Sequence, residues 1–343
     1  MPTLPKTDRE IELLLSTPTT GAIEAVKDLD GDFMILGVGG KMGTTTAAML
    51  RRALDAAGRN DATVTGVSRF SRSSARSDLE ALGVRTLPCD LADATQVAAL
   101  PATANVLYLA GQKFGTDSAP GLTWIQNTVV PAIVADRFRD SRIVVFSTGC
   151  VYPYVPTSGL GASESEPVAF LGEYASTCVG RERVFSHFAA LHGTRQLMYR
   201  LNYAVELRYG VLVDIAMKVM NGEPVDVTMG WLNCIWQGDA CARAIQCLVH
   251  TASPPRILNI TGPEKLSIRA LAAEFGQRFA REPILTGIEA PTAWLSDASD
   301  SIRLFGPPTV GAPEMMDMIT EYLCAGGQLL GKPTHFETRS GKF

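Results

Sequence analysis

The sequence predicts an α/β fold with a doubly wound parallel sheet and a smaller, mainly helical C-terminal substrate lobe. A short apolar run, Phe33–Leu36, is followed by a glycine-rich turn and a helical segment. Further strand-like runs alternate with helices, and the pieces after about residue 203 carry helices, Pro and Gly with little strand signal. This alternation is typical of a parallel sheet, because each connection has to cross back over the sheet.

Composition narrows the function classes before any motif is considered. The chain has 343 residues, 46% hydrophobic content and a net charge of −4 without a long basic run, which argues against nucleic acid as a partner. No apolar stretch reaches transmembrane length, and the first residues are unlike a signal peptide, so no membrane partner is expected. The seven cysteines form no CxxC pair, which predicts reduced, mostly buried thiols and a cytoplasmic location. No cluster of His, Cys, Asp and Glu has metal-ligand spacing, so no metal is predicted.

The first 30 residues predict a helical N-terminal extension. Thr7 and Glu10 fit a capping box ahead of the apolar residues Ile11 and Leu13. A second helix is expected over 18–29. We expect the extension to pack on the edge of the sheet as a structural lid.

The glycine-rich turn predicts a dinucleotide-binding unit of Rossmann type. Gly37 permits a tight turn, Gly40 lets a pyrophosphate approach the backbone, and Gly43 lets the following helix pack closely on the strand. The helix predicted over 42–57 then directs its N-terminus, with Lys41 and Met42, at the phosphates. A magnesium-binding phosphate loop is rejected, because Met42 stands where Ser or Thr would ligate the metal. The remaining alternative is a βα turn that binds nothing.

The end of the second predicted strand, 63–67, bears on the choice of cofactor. NAD-preferring sites usually carry Asp or Glu here to bind the ribose hydroxyls, whereas this chain has Ser68 and Arg69. Arg can pair with a 2′-phosphate, and Ser can bind it without repelling it. The cofactor is therefore predicted as NAD(P), with NADP favoured. The alternative is that Arg69 stacks on adenine or points to solvent.

The later elements complete the predicted sheet and set the domain boundaries. Strands are predicted at 84–87, 105–111, 142–146, 196–201 and 256–260, with helices at 124–138 and 174–191. The resulting division is an extension at 1–30, a Rossmann domain at 31–202 plus about 236–261, a substrate lobe at about 203–235 and 262–330, and a tail at 331–343. The lobe is expected over the carboxyl ends of the strands, where substrates bind in such sheets. The polar tail is expected to be loose.

Residues 32–325 resemble the extended short-chain dehydrogenase/reductase family, in its NAD-dependent epimerase/dehydratase group. The motifs that carry the resemblance, in the family's order, are the glycine turn, Asp90-Leu91, Leu109-Ala110-Gly111, Ser147-Thr148 ahead of Val151-Tyr152, and Tyr174 with Glu182. The resemblance implies that Asp90 binds the adenine, that Thr148 and Tyr174 are catalytic, and that Asn202 lies near the nicotinamide or the substrate. Asn127 corresponds to an asparagine on the helix after the fourth strand. The predicted cofactor-binding set is Gly37, Gly40, Lys41, Met42, Gly43, Ser68, Arg69, Asp90, Leu91, Leu109, Ala110, Gly111, Asn127, Tyr174, Cys178 and Asn202.

One position departs from the family's Tyr-x-x-x-Lys pattern, because Cys178 stands where the lysine would be. In the family that ammonium binds the nicotinamide ribose and lowers the pKa of the tyrosine. A cation about 5 Å from a phenolate contributes roughly 3 kcal/mol at an effective dielectric near 20, or about two pKa units.

Three explanations for the cysteine stay open: catalysis is lost and cofactor binding kept; another cation, with Lys113 as the candidate, fills the role; or Tyr174 and Thr148 act only as hydrogen-bond donors. The adjacent Arg181, Glu182 and Arg183 are predicted to form a helix surface, and Cys178 is predicted to be a buried filler.

The function implied is an NAD(P)-dependent epimerase, dehydratase or reductase acting on a sugar, sugar acid or nucleotide-linked sugar. The alternative is a catalytically impaired NAD(P)-binding regulatory or scaffold protein. The resemblance also implies a homodimer that pairs the helices at 121–138 and 172–191. The apolar positions of these helices, which also suit ordinary packing on the sheet, are Trp124, Ile125, Val129, Ile133, Val184, Phe185 and Phe188.

Overall fold

Seven parallel strands form the central sheet of the computed structural model, which describes residues 5, 7–71, 73–116 and 118–341. The strands are β1 (Phe33–Leu36), β2 (Val64–Ser68), β3 (Arg85–Pro88), β4 (Asn105–Tyr108), β5 (Arg142–Thr148), β6 (Gln196–Leu201) and β7 (Arg256–Ile260). Their order across the sheet is β7-β6-β5-β4-β1-β2-β3, with every neighbouring pair parallel. The predicted fold class is confirmed, and β1 lies inside the sheet between β2 and β4.

Helices cover both faces of the sheet and form most of the C-terminal part. They are α1 (Asp8–Leu15), α2 (Thr20–Lys27), α3 (Lys41–Ala56), α4 (Ser73–Ala81), α5 (Ala94–Ala98), α6 (Pro120–Trp124), α7 (Val130–Arg137), α8 (Gly172–His192), α9 (Val211–Asn221), α10 (Gln237–Gln246), α11 (Ile268–Phe279), α12 (Ser299–Phe305) and α13 (Ala312–Cys324). A π-helical turn, Ile125–Val129, joins α6 to α7. Parallel strands need such crossover helices, and the apolar helix faces bury both sides of the sheet.

Element boundaries differ from the predicted ones where backbone hydrogen bonding, rather than hydrophobicity, ends a strand. The strand predicted over 105–111 ends at Tyr108. The Leu109 amide still donates to the Leu36 carbonyl oxygen at 2.8 Å, and Ala110 and Gly111 leave the sheet. The fifth strand continues two residues beyond its predicted end, to Thr148. Both changes lie at the carboxyl edge of the sheet, where they shape the candidate site.

The N-terminal extension is fixed to the rest of the molecule by ion pairs. Thr7 and Glu10 form the predicted capping box, with N···O distances of 2.9 and 3.2 Å. Arg208, which is buried, pairs with Asp8 at 2.9 Å and with Glu12 at 2.6 Å. Residues 1–4 and 6 of the predicted extension lie outside the described residues.

The tail is packed, contrary to the expectation of a loose segment. Phe336 is buried, and the backbone amide and hydroxyl of Thr334 donate to the Asp214 carboxylate at 2.7 and 2.5 Å. No local pattern indicates this packing, since the residues around Phe336 are mostly polar and their partners lie about 120 residues away. The expectation is wrong for residues 331–341, and residues 342–343 lie outside the described part of the chain.

Two features of the structure concern the predictions about a membrane and about a second copy of the chain. No helix among the described residues is long and apolar enough to cross a membrane. Trp124, Ile125 and Val129 are 41–45% exposed on the helices that the sequence assigns to a dimer interface, whereas Phe185 is buried within the subunit. The homodimer stays a prediction.

Candidate active site

The glycine-rich loop after β1 makes a tight turn at the carboxyl edge of the sheet. Gly37 has φ +91°, and a Cβ there would lie 2.7 Å from the backbone nitrogen of Ala110. A Cβ on Gly43 would lie 2.7 Å from the Gly37 carbonyl oxygen, so these positions require glycine. Gly39 and Gly40 are exposed at the start of α3. The loop therefore leaves a helix N-terminus accessible to a ligand.

Residues from the neighbouring strand ends surround this loop. A Cβ on Gly39 would lie 3.0 Å from Oγ of Ser68, which accepts a hydrogen bond from the amide of Phe70 at 3.1 Å. Arg69 is exposed. Asp90 accepts from the amide of Ala92 at 3.1 Å. The remaining members of the predicted set are the buried Leu91, the half-buried Met42, Leu109 and Ala110, and the exposed Gly111.

Lys41 places a cation at the first position of α3. Its ammonium lies 3.7 Å from the ring centroid of Tyr209 and has no hydrogen-bond partner among the described residues. Burial lowers the pKa of Lys41 to about 7, against the opposing charge of Glu206 and with further lowering by Lys113 and Arg208. This lysine therefore changes its charge near neutral pH.

Tyr174 and Thr148 meet beside the end of β5. Tyr174 lies in the first turn of α8, and its hydroxyl has the Thr148 side chain as a hydrogen-bond partner. Burial raises the pKa of Tyr174 well above its ordinary value, and the thiols of Cys178 and Cys150 raise it further. The charge of Arg181 and the Thr148 hydroxyl oppose that rise. The phenol is protonated at neutral pH and can donate a hydrogen bond.

Cys178 is fully buried one turn further along α8. Burial raises the pKa of its thiol to about 11, so the thiol is not a nucleophile at neutral pH. Six of the seven cysteines are buried, and Cys324 is exposed. All seven are free thiols, as the sequence predicts.

Arg181 is the residue that sequence reasoning missed. The prediction of a helix surface is wrong for Arg181 and Glu182, which are both 6% exposed, and holds for Arg183, which is exposed. The Arg181 guanidinium donates from Nη1 to the Phe146 carbonyl oxygen at 2.8 Å and from Nη2 to Asn127 Oδ1 at 2.7 Å. Helix α8 is covered by the sheet on one side and by other helices along much of its length, so charged side chains on it can face inward.

Asn127 organises the same region from the π-helical turn. Its Oδ1 also accepts from the amide of Gln112 at 2.8 Å, and its Nδ2 donates to the Gln112 carbonyl oxygen at 2.8 Å and to Thr177 Oγ1 at 3.0 Å. The buried amide thereby ties the loop after β4 to α8. The cofactor-binding role of Asn127 stays a prediction.

Glu182 forms a buried network beneath the site. It accepts from Arg200 at 2.9 and 2.6 Å and from the Ser147 hydroxyl at 2.5 Å. The Arg200 guanidinium lies 4.7 Å from the ring centroid of Tyr152. This network fixes α8 against β5 and β6. Because Tyr174 lies on α8, the network also fixes the position of Tyr174 relative to the sheet.

The other two predicted residues lie in the loops that follow β6 and β4. Asn202 is buried and donates to Asn233 Oδ1 at 2.8 Å, and a Cβ on Gly149 would lie 3.2 Å from its side chain. Lys113 lies in the loop after β4, and its ammonium is 5.7 Å from the ring centroid of Phe114. The charge of Lys113 acts on the Cys150 thiol, lowering a pKa that burial raises. The catalytic role assigned to Lys113 stays a prediction.

No metal-binding group of three or more His, Cys, Asp or Glu occurs among the described residues. An aromatic pair joins the segment after β5 to the C-terminal lobe, in which the rings of Tyr154 and Trp294 lie 4.7 Å apart. Arg339 from the tail lies 4.1 Å above the Tyr154 ring and donates to the Thr292 carbonyl oxygen at 2.7 Å. The tail thus covers the lobe close to the first turns of α8.

Solved structures share this architecture, although no family model and no curated protein matches the sequence. The UDP-glucose 4-epimerase of Thermus thermophilus in complex with NAD is 18% identical and has a TM-score of 0.69, over 85% of this chain and 99% of that one. An epimerase of Methanothermobacter thermautotrophicus is 15% identical with a TM-score of 0.70, over 90% and 97% of the two chains. The dTDP-glucose 4,6-dehydratase DesIV of Streptomyces venezuelae with NAD bound is 17% identical with a TM-score of 0.70, over 85% and 97%. At these identities the likeness establishes the fold.

Proposed function

We propose that this chain binds NAD(P) in the groove bordered by the loop at 37–43 and the ends of β2 and β4. We propose further that it acts as an epimerase, dehydratase or reductase on a sugar, sugar acid or nucleotide-linked sugar. The observation that carries the proposal is the convergence of the glycine loop, Thr148 and Tyr174 on one edge of the sheet. The structural neighbours support it, because they include 4-epimerases and a dehydratase in complex with NAD, and two complexes with UDP-glucose.

The residues around the groove fit a dinucleotide. A Cβ on Gly37 would collide with the backbone of Ala110, and the exposed Gly39 and Gly40 leave the N-terminus of α3 open to a ligand. The buried, unpartnered ammonium of Lys41 is a donor suited to a pyrophosphate oxygen. Ser68 and Arg69 would contact the adenosine ribose and its 2′-phosphate, and Asp90 and Leu91 the adenine.

The chain's own residues suit a reaction at a carbonyl or hydroxyl carbon. When bound, the nicotinamide would exchange a hydride with that carbon. Thr148 and Tyr174 would hold the substrate oxygen, and the protonated phenol would donate to it as negative charge develops. The lobe at about 203–235 and 262–330 would hold the rest of the substrate over the carboxyl ends of the strands.

A regulatory NAD(P)-binding protein is the second candidate. The observation that favours it is the neutral Cys178 thiol at the position where the resembling family has an ammonium. Such a protein would bind cofactor without turning over any substrate. Lys113 would then be a loop cation without a catalytic role.

We expect the wild type to bind NADPH about tenfold more tightly than NADH, because an Arg–phosphate contact contributes about 1.5–3 kcal/mol. Arg69→Ala should narrow this gap, since it removes the charge at the 2′-phosphate. Arg85→Ala is the matched control, because Arg85 is also exposed but lies at the amino end of β3. Titration calorimetry measures all three proteins. Equal wild-type affinities would overturn the NADP preference, and binding of neither cofactor would overturn the proposed function.

Cofactor affinity is also expected to fall as the pH rises from about 7 to 9. With its pKa lowered to about 7, Lys41 is largely neutral above that pH in the free protein, and a nearby pyrophosphate would restore the charged form. Binding therefore takes up a proton, and affinity falls by up to about tenfold per pH unit until the pKa of the complex is reached. Calorimetry in two buffers of different ionisation enthalpy measures this uptake. Lys41→Met should abolish it, and wild-type binding without proton uptake at pH 8 would contradict the prediction.

A further inference from the structure

Arg181 lies on the same face of α8 as Tyr174 and Cys178. Seven residues advance an α-helix by about 700°, which is roughly 20° short of two turns. Long helical side chains point back toward the N-terminus, so the Arg181 guanidinium reaches toward the turn that carries Cys178. Electrostatic coupling of Arg181 to both Cys178 and Tyr174 agrees with this direction.

The position of the guanidinium is fixed by two neutral hydrogen-bond partners, one in β5 and one in the π-helical turn. Its Nη1 donates to the Phe146 carbonyl oxygen in β5, and its Nη2 to Asn127 Oδ1. Its Cζ lies 5.8 Å from the ring centroid of Tyr108, the last residue of β4. The charge therefore lies between the ends of β4 and β5, below the edge of the sheet where the candidate groove runs.

Gly111 separates the guanidinium from that groove. A Cβ at Gly111 would lie 2.2 Å from Nη2 of Arg181 and 2.9 Å from Asn127 Oδ1. Gly111 is itself exposed, so the absence of a side chain brings the cation to the floor of the groove. Even alanine at this position would displace the guanidinium, which makes Gly111 and Arg181 a matched pair.

The charge of Arg181 is buried without a carboxylate partner among the described residues. The neighbouring Glu182 is committed to Arg200, and Nε of Arg181 has no hydrogen-bond partner in the described part of the chain. A buried cation with neutral partners is costly in stability, and such groups are concentrated at functional sites. The unused donor and charge point to a ligand as the missing partner.

We propose that the Arg181 guanidinium supplies the positive charge that is missing at Cys178. Across the backbone of Gly111, this charge would act on the bound cofactor ribose and on the Tyr174 hydroxyl. This inference deepens the proposed function and rests on it. Arg181 is a positioning residue that orients the ribose and holds the Tyr174 phenol in place. The charge of Arg181 also explains why position 178 is a cysteine, because a lysine there would place a second buried cation beside the guanidinium.

The test is a cation swap along α8, measured by calorimetric titration of NADPH and by urea unfolding. Arg181→Met should weaken NADPH binding by about 10- to 100-fold, the effect of losing a charge-assisted contact. Cys178→Lys alone should weaken binding and lower stability, because two buried cations repel. The double variant, Cys178→Lys with Arg181→Met, should recover most of the wild-type affinity. Arg183→Met is the matched control, because Arg183 is the exposed neighbour on the same helix.

The outcomes separate this inference from the proposed function. If the wild type binds neither NADPH nor NADH, the proposed function fails and the inference fails with it. If the wild type binds and Arg181→Met binds equally well, only the inference is overturned. A Cys178→Lys substitution that is tolerated equally well with and without Arg181→Met would also overturn it. Where a substrate is found, loss of Arg181 should additionally shift the alkaline limb of the pH–rate profile upward, which a purely structural role would not do.

Discussion

Replacing Tyr174 with phenylalanine is expected to lower turnover by about 100- to 10,000-fold, the usual contribution of a positioned acid or base. The substitution removes only the hydroxyl whose hydrogen-bond partner is Thr148. Burial holds the pKa of this phenol well above its ordinary value, so the wild-type group carries its proton at neutral pH and, in the proposed reaction, would donate it as the substrate oxygen gains charge. Cofactor affinity should change by less than about threefold, because this role is exerted on the substrate. Turnover is followed by the nicotinamide absorbance with a panel of sugars and sugar acids.

Variants at Thr148 provide the matched comparison for Tyr174→Phe. Thr148→Ser keeps the hydroxyl and should retain most of the activity, whereas Thr148→Val keeps the shape and should lose most of it. Wild-type turnover that survives Tyr174→Phe unchanged would place the chemistry elsewhere in the molecule. A wild type that binds NADPH but turns over no member of the panel would favour the regulatory candidate.

Replacing Glu182 with alanine is expected to lower the free energy of unfolding by about 3–5 kcal/mol, because it leaves a buried guanidinium without its counter-charge. Arg200 is 3% exposed and donates to both Glu182 oxygens, and Ser147 donates to one of them. Urea unfolding measures the loss as a lower midpoint at unchanged slope. The substitution should also weaken cofactor binding, because the hydrogen bonds of Glu182 with Arg200 and Ser147 fix the position of α8 relative to β5.

Glu274→Ala is the control for Glu182→Ala. Glu274 pairs with Arg278 one helical turn away at 3.3 Å, but its side chain is 51% exposed. Exposed pairs of this kind contribute about 0.3–0.5 kcal/mol, so the variant should unfold close to the wild type. Replacing Glu182 and Arg200 together by leucine should recover part of the stability, since it removes both buried charges. An equal, small effect of Glu182→Ala and Glu274→Ala would show that the buried network does not hold α8.

The differences between predicted and observed elements have a common physical cause. Strand-like runs located all seven strands, and the signal is strongest in inner strands such as β1 and β4, which are apolar because they are buried along their whole length. The ends of β4 and β5 were misplaced, because neighbouring strands decide where backbone hydrogen bonding stops. The tail was expected to be loose since its polar residues give no periodic signal, yet Phe336 and Thr334 pack against α9.

The fold class and the glycine turn at Gly37 follow from the amino-acid order alone, because the first depends on the alternation of strands and helices and the second on local geometry. The candidate pair Thr148 and Tyr174 is implied by the resemblance of the motifs that carry them. The burial of Arg181, in contrast, is set by tertiary contacts. Three consecutive charged residues on a helix ordinarily face solvent, and the burial of this one depends on partners at Asn127 and Phe146, which are 54 and 35 residues away. Two signals in the sequence bear on it: the spacing of seven residues from Tyr174 and the glycine at position 111. Neither signal predicts the burial of Arg181 until the ends of β4 and β5 are brought beside α8, because a buried charge is stabilised by groups that only the folded chain assembles.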